Sequence, residues 1–279
     1  MTRVAAIDLG TNATRLLVAD VAEGRVDEVR RETRITRLGE GVDARRRLLP
    51  VPIARVRNVL SEYRRIADEL GAERVLAVAT SAVRDAENGE AFLGEVEWSY
   101  GFATALLTGD DEARTTLRGV GALDPGTVVV DIGGGSTELI TERFHTSLDI
   151  GCVRLTERHG ADFEAMAADV RAVLPELEAT HVLNVDGTTA ELAHLYGEVT
   201  LEALGGFLSD PPTAERLLQP ARAEVLPAGA VILRETLVHL GVDRTAPSTR
   251  DLLTGAALAA ADLPAPAEGE APPGAFTCC

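Results

Sequence analysis

Apolar positions follow two periods along this chain. Compact runs rich in Val, Ile and Leu at about 3–9, 15–21, 74–79, 103–107, 126–131, 136–141 and 181–186 predict strands. Apolar residues three and four apart predict helices at about 52–70, 110–121, 162–179, 188–196, 222–240 and 251–261. The stretch PVPIARVRNVLSEYRRIADELGAERV carries the full set of signals. Proline opens it, Ile53, Val56, Val59, Leu60, Tyr63, Ile66 and Leu70 share one stripe, and Gly71 supplies the stop. Strands and helices alternate through most of the chain, which is the α/β pattern.

The pattern also repeats. AAIDLGTNATRLLV (5–18) and VVVDIGGGSTELIT (128–141) superpose when shifted by 123 positions, with Asp8 on Asp131, Gly10 on Gly133, Thr14 on Thr137 and Leu16 on Leu139. Too few residues separate the flanking runs for a crossover helix, so each copy is expected to be an antiparallel hairpin. Glycine-rich turns bring bare N–H groups close to a ligand, and successive N–H groups in a concave turn bind anions, phosphate above all. Thr11, Asn12, Thr14, Ser136 and Thr137 add polar donors. An Asp opening each turn repels phosphate unless a divalent cation sits between them, because carboxylate and phosphate oxygens are both hard ligands. The repeat therefore predicts a Mg²⁺–phosphate site between two lobes.

Composition narrows the setting. The chain has 279 residues and no apolar run near the ~20 needed to span a bilayer. The N-terminus enters a strand pattern directly, and Cys152, Cys278 and Cys279 offer neither a metal-ligand spacing nor a disulfide framework, so a reducing cytoplasm is the expected compartment. The net charge of −17 argues against binding to a nucleic-acid polymer. Residues 1–84 nevertheless hold 16 Arg against 12 acids, and every one of the 27 basic residues is Arg. Two of its basic runs, RRETRITR (30–37) and ARRR (44–47), could steer a polyanion or equally be solvated faces. The five histidines form no ligand cluster in sequence, and Cys152 reads as small core filler.

AAIDLGTNATRLLVADV, RLGEGVD, VATSAVRDAENGEAF, TGDDEARTTLRGV, VVVDIGGGSTELI and DIGCVRLTERHG, in that order from residue 3 to about 160, resemble the successive motifs of the exopolyphosphatase/guanosine pentaphosphate phosphohydrolase (Ppx/GppA) family. The likeness returns more faintly at DGTTAEL and AEVLPAGAVIL. It implies the actin-like ATPase superfamily fold, two ribonuclease-H-like lobes with a cleft between them. Carried over by motif, the first phosphate loop comprises Asp8, Gly10, Thr11, Asn12 and Arg15, and the second Asp131, Gly133, Gly134, Gly135, Ser136 and Thr137. The resemblance makes Glu112 the catalytic carboxylate, assigns Arg84 and Asn88 to phosphate, and places Mg²⁺ on Asp131 and Glu138 with Asp8.

The expected domains are 1–122, 123–250, a helix at 251–262 folding back on the first lobe, and a disordered Pro/Ala/Gly tail at 263–279. The expected activity is Mg²⁺-dependent hydrolysis of the terminal phosphoanhydride of inorganic polyphosphate, with pppGpp hydrolysis, a superfamily ATPase or kinase, and a binding-only sensor as alternatives. Exposed apolar helices leave room for a homodimer. One departure stands out: Ala13 lies where the family commonly has serine.

Overall fold

The computed structural model describes residues 1–264. From residue 265 onward, the expected tail lies outside the described residues. The chain divides into two compact units, one of Met1–Gly119 joined by the segment starting at Leu252, the other Val120–Asp251.

In the first unit, β1 (Thr2–Leu9) and β2 (Ala13–Ala22) form the expected hairpin, pairing Asp8 with Arg15 and Leu9 with Thr14. The apolar pattern predicts no strand over 25–35, yet β3 (Arg25–Ile35) pairs along β2 for its whole length. It is an edge strand, held by its backbone ladder, so its side chains are free to be charged. Arg30 and Arg34 pair with Glu32, and Arg31 with Glu28, so 30–34 of the basic run is largely an ion-paired surface. A short α1 (Val42–Arg45) and the long α2 (Pro50–Glu69) follow, then β4 (Arg74–Ala79) and α3 (Ser81–Arg84). Next come α4 (Gly89–Tyr100), which Gly94 hides from the helical pattern, β5 (Ala103–Leu106) and α5 (Gly109–Val120). Strand order is β3-β2-β1-β4-β5, with β1, β4 and β5 parallel.

The second unit repeats this plan. β6 (Thr127–Ile132), β7 (Thr137–Ile140) and β8 (His145–Leu148) form an antiparallel meander. They are followed by α6 (Cys152–His159), α7 (Phe163–Val173), β9 (His181–Asn184), α8 (Gly187–Tyr196), β10 (Val199–Thr200) and α9 (Leu201–Ser209). Two 3-10 turns lead into α10 (Leu226–Leu240) and β11 (Arg244–Pro247). The order β8-β7-β6-β9-β11-β10 matches the first sheet strand for strand until the added β10. Both units are therefore ribonuclease-H-like α/β folds. Helix α7 stops at Val173 rather than 179 because Pro175 disfavours helical backbone at Leu174, and α10 begins at Leu226, with Pro227 in its first turn.

Finally α11 (Leu252–Asp262) returns to the first unit. Along β1, Ala5, Ile7 and Leu9 face the α2 and α4 side, while Val4 and Ala6 face α11. Both faces of that sheet are thus buried, as its unbroken apolar runs require. Cys152 is buried in the second unit's core, and burial pushes its thiol up to about 11, as expected of a packing residue. Among the described residues no helix is long and apolar enough to cross a membrane.

Candidate active site

In each unit the chemistry gathers beyond the carboxyl ends of parallel strands, where open α/β sheets bind ligands. In the first unit these ends carry the Asp8–Arg15 turn after β1, Arg84 after β4 and Glu112 after β5.

The two glycine turns are the same object at atomic detail. Gly10 N–H donates to Ala13 O at 3.1 Å, and Gly133 N–H to Ser136 O at 2.9 Å. A Cβ on either glycine would sit 2.9 Å from that carbonyl, so neither position admits another residue without rearrangement. The shift of 123 places Ala13 on Ser136.

What aims the turns is a second layer behind them. In the second unit, Gly133 O accepts from Cys152 N–H at 3.0 Å, and Gly134 O from Val153 and Arg154 N–H at 2.8 and 3.1 Å. Gly135 O accepts from Arg154 Nε at 2.8 Å. A trans peptide points its N–H opposite its C=O. With three successive carbonyls tied to the start of α6, the N–H groups of Gly134, Gly135 and Ser136 all point away from α6. None of the three has a main-chain acceptor among the described residues. Preorganised donors in such a row can take an anion, which makes this turn a candidate cradle. Gly151 makes it possible, because a Cβ there would lie 2.5 Å from the Gly134 backbone.

The first unit uses a different backing. Thr11 O accepts from Gly39 N–H at 2.8 Å, and Asn12 O from Thr36 and Arg37 N–H at 3.1 and 2.9 Å. Gly39 packs so tightly on Thr11 that a Cβ would fall 2.2 Å from its methyl group. Asn12 is 6% exposed, and neither its side-chain oxygen nor its nitrogen finds a hydrogen bond among the described residues. A buried amide left in this state costs ~1–3 kcal/mol per group, a cost that a ligand supplying the missing partner would remove.

The carboxylates differ between units. Asp8 faces Arg15 across the hairpin, and their charges meet at 2.9 Å. At the equivalent place Asp131 faces Glu138, and both are buried. Ser147 Oγ donates to Glu138 Oε1 at 2.7 Å. Like charges directly opposed on one face of a hairpin repel unless a cation joins them.

Glu112 opens α5 beside Asp110 and Asp111. An acid serving only the helix dipole would stay in water, as half-exposed Asp110 does, whereas the Glu112 side chain is 8% exposed. Arg84 Nη1 lies 3.2 Å from Glu112 Oε2 and also donates to Leu107 O at 2.8 Å. Burial pushes the Glu112 carboxyl up to about 7; Arg84 pulls it down and the neighbouring Asp8 charge adds to the rise.

Several expected phosphate ligands already have partners within the chain. Asn88 exchanges two bonds with the Leu48 main chain, Nδ2 to O at 3.1 Å and N–H to Oδ1 at 2.9 Å, which makes it a clamp between two loops. Thr137 spends its hydroxyl on Ile150 O at 2.8 Å, bracing the second turn. Arg84 and Arg15 answer carboxylates in the first unit rather than standing open.

A model of the Ppx/GppA phosphatase family matches residues 17–189. The chain belongs to this family. It is 37% identical to Exopolyphosphatase 2 of Mycobacterium tuberculosis over 94% of this chain and 99% of that protein. The alignment spans 317 positions against 279 residues here, so the relative carries segments that this chain lacks. It is 31% identical to the guanosine-5'-triphosphate,3'-diphosphate pyrophosphatase of Vibrio atlanticus, over 66% of this chain and 39% of that protein. The crystal structure of an exopolyphosphatase-like protein superposes with a TM-score of 0.83 at 28% identity, covering 92% of this chain and 98% of that one.

The matched Ppx/GppA span contains Arg84, Glu112 and the whole second turn, while Asp8–Arg15 precedes it. What the motifs do not disclose is the backing layer. RLGEGVD and DIGCVRLTERHG were legible as motifs, but their work on Thr11–Asn12 and Gly133–Gly135 depends on contacts across 19 to 28 residues of chain. Asp186 opens the faint DGTTAEL motif, which does not announce its role. It caps α8 through Thr189 N–H at 2.8 Å and accepts from Asn184 Nδ2 at 2.8 Å. Full burial raises its pKa, opposed by those bonds and by a further one from the Ile132 main chain, just before the glycine turn.

Proposed function

We propose that this Ppx/GppA protein is an exopolyphosphatase, a phosphoanhydride hydrolase that removes the terminal phosphate of inorganic polyphosphate. The observation that carries the reading is the cradle at Gly134–Ser136, three aligned N–H donors with their carbonyls tied behind them. A terminal phosphoryl group offers the oxygens such a cradle takes. Glu112, held near neutrality by burial, orients and deprotonates the attacking water, with Arg84 fixing its carboxylate. The family match and the likeness to an exopolyphosphatase over nearly the full length of both chains support this choice over pppGpp, whose named hydrolase aligns with much less of itself.

Mg²⁺ is the cation the site suits. Asp131 and Glu138 offer opposed hard oxygens beside the cradle. Among the described residues no three-ligand His, Cys, Asp and Glu cage forms, and Mg²⁺ asks for none, since it takes one or two carboxylates and completes its shell with phosphate and water. Asp8, the third expected ligand, gives Oδ2 to Arg15, while its Oδ1 is buried without a hydrogen bond among the described residues. When bound, Mg²⁺ would neutralise charge on the phosphate oxygens.

The test offers purified protein and Glu112→Gln, with Mg²⁺, polyphosphates of several lengths, pppGpp and ATP. Phosphate released from polyphosphate by the native protein and lost in the variant is the expected result. Binding without release would instead make it a sensor, and ATP consumed only with an acceptor would make it a kinase.

A further inference from the structure

The three carbonyls behind the second cradle are not held alike. Those of Gly133 and Gly134 are tied by main-chain N–H groups of residues 152–154, which almost any side chains at those positions would supply. The carbonyl of Gly135 is tied by a side chain, Arg154 Nε at 2.8 Å. That carbonyl belongs to the same peptide plane as the Ser136 N–H, so whatever fixes one aims the other.

We propose that Arg154 is a positioning residue for hydrolysis, holding the Gly135–Ser136 peptide so that the Ser136 N–H faces the terminal phosphoryl group. The substrate part of this inference rests on the exopolyphosphatase reading above.

Three observations support it. Arg154 is 9% exposed, an uncommon burial for an arginine, and its Nε points at a main-chain oxygen of the cradle. The Ser136 N–H has no main-chain acceptor among the described residues, so no main-chain hydrogen bond holds the Gly135–Ser136 peptide plane from that side. The hydrogen bond is also charge-assisted: a guanidinium on the carbonyl draws electron density from the amide and strengthens its N–H as a donor to phosphate. Arg154 thus aims the third donor and polarises it. Lysine can supply charge there, but a flexible ammonium does not reproduce the fixed planar fork.

The experiment compares native protein with Arg154→Ala and Arg154→Lys. With polyphosphate and Mg²⁺, the Ala variant is expected to lose about 10–100-fold in kcat, since one misaimed oxyanion donor is worth up to ~10²–10³-fold. KM should stay within about threefold, because two donors and the remaining site still bind. Added methylguanidinium should restore at least part of kcat in the Ala variant, a rescue that a general packing defect would not show. Independently of turnover, inorganic phosphate added to ¹⁵N-labelled native protein should shift the Ser136 amide resonance, and that shift should shrink selectively in Arg154→Ala. A folded variant with native kcat, or with the native Ser136 shift, overturns the proposal. Should Arg154→Ala fail to fold, the Lys variant is measured for the same kcat loss and amide response, and native values there overturn it equally. Native protein that leaves polyphosphate intact would defeat the exopolyphosphatase reading, while the amide response would still decide the role of Arg154.

Discussion

Glu112 sets the pH behaviour of the first unit. Its carboxyl titrates near 7 because burial disfavours the anion more than Arg84 favours it. In the unfolded chain it returns to its ordinary value of 4.5. The folded pKa is the higher one, so the folded state holds the proton more tightly, and stability falls as pH rises from about 4.5 to 7, then stays level. The cost above pH 7 is on the order of 3 kcal/mol. Glu112→Gln removes this charge and keeps an acceptor for Arg84. It should abolish phosphate release yet raise the melting midpoint at pH 8 by several degrees, with the gain vanishing near pH 4.5; thermal unfolding across that range reads it directly. If Glu112 is the base, log kcat/KM should climb with pH and level off above about 7. Arg84→Met removes the charge that lowers the Glu112 pKa, so the same limb should move to higher pH; an unmoved limb would dissociate it from Glu112.

Each element carrying chemistry is aimed by another that does not. The first turn leans on residues 36–39 and the second on the start of α6. Asn88 belongs to this supporting class: it joins Leu48 to the loop before α4. Asn88→Ala should lower stability by about 1–3 kcal/mol, two bonds to buried main chain being lost, and leave KM for polyphosphate unchanged. A raised KM at unchanged stability would return it to the phosphate site. The contrast shows what the sequence made legible. The hairpins were readable because strand alternation and the Asp-Gly frame are local, and the shift of 123 exposed their duplication. Strand β3 was hidden because an edge strand held by its ladder needs no apolar alternation. The burial of Glu112 was hidden too, since an acid in a helix's first turn looks the same whether water or protein covers it. The role of Arg154 lies 19 residues from the carbonyl it holds, and only the folded chain brings them together.

Across the whole molecule, the chain leaves the first unit after Gly119 and returns to it at Leu252. The returning α11 lays Leu252, Leu253, Ala256, Ala257 and Ala260 on the face of the sheet formed by Val4, Ala6, Leu17, Ala19, Leu76 and Val78. It also touches α5. A Cβ on Gly255 would lie 1.8 Å from Thr115 O, one turn from Glu112, so the two backbones meet where only glycine fits. These two roles of α11 separate experimentally. Leu253→Ala removes buried volume away from α5 and should cost about 2–5 kcal/mol of stability while kcat, measured well below the lowered midpoint, remains near native. Gly255→Ala adds one methyl group against a main-chain oxygen that cannot fold aside, so α5 must shift and carry Glu112 with it. Displacements near 1 Å in a catalytic group can cost on the order of 10²-fold, and kcat should therefore fall at temperatures where both variants are folded. Equal kcat in the two variants would reduce α11 to a cover for the sheet. A selective loss in Gly255→Ala would mean that the last described helix helps set the position of Glu112, the carboxylate proposed to activate the water.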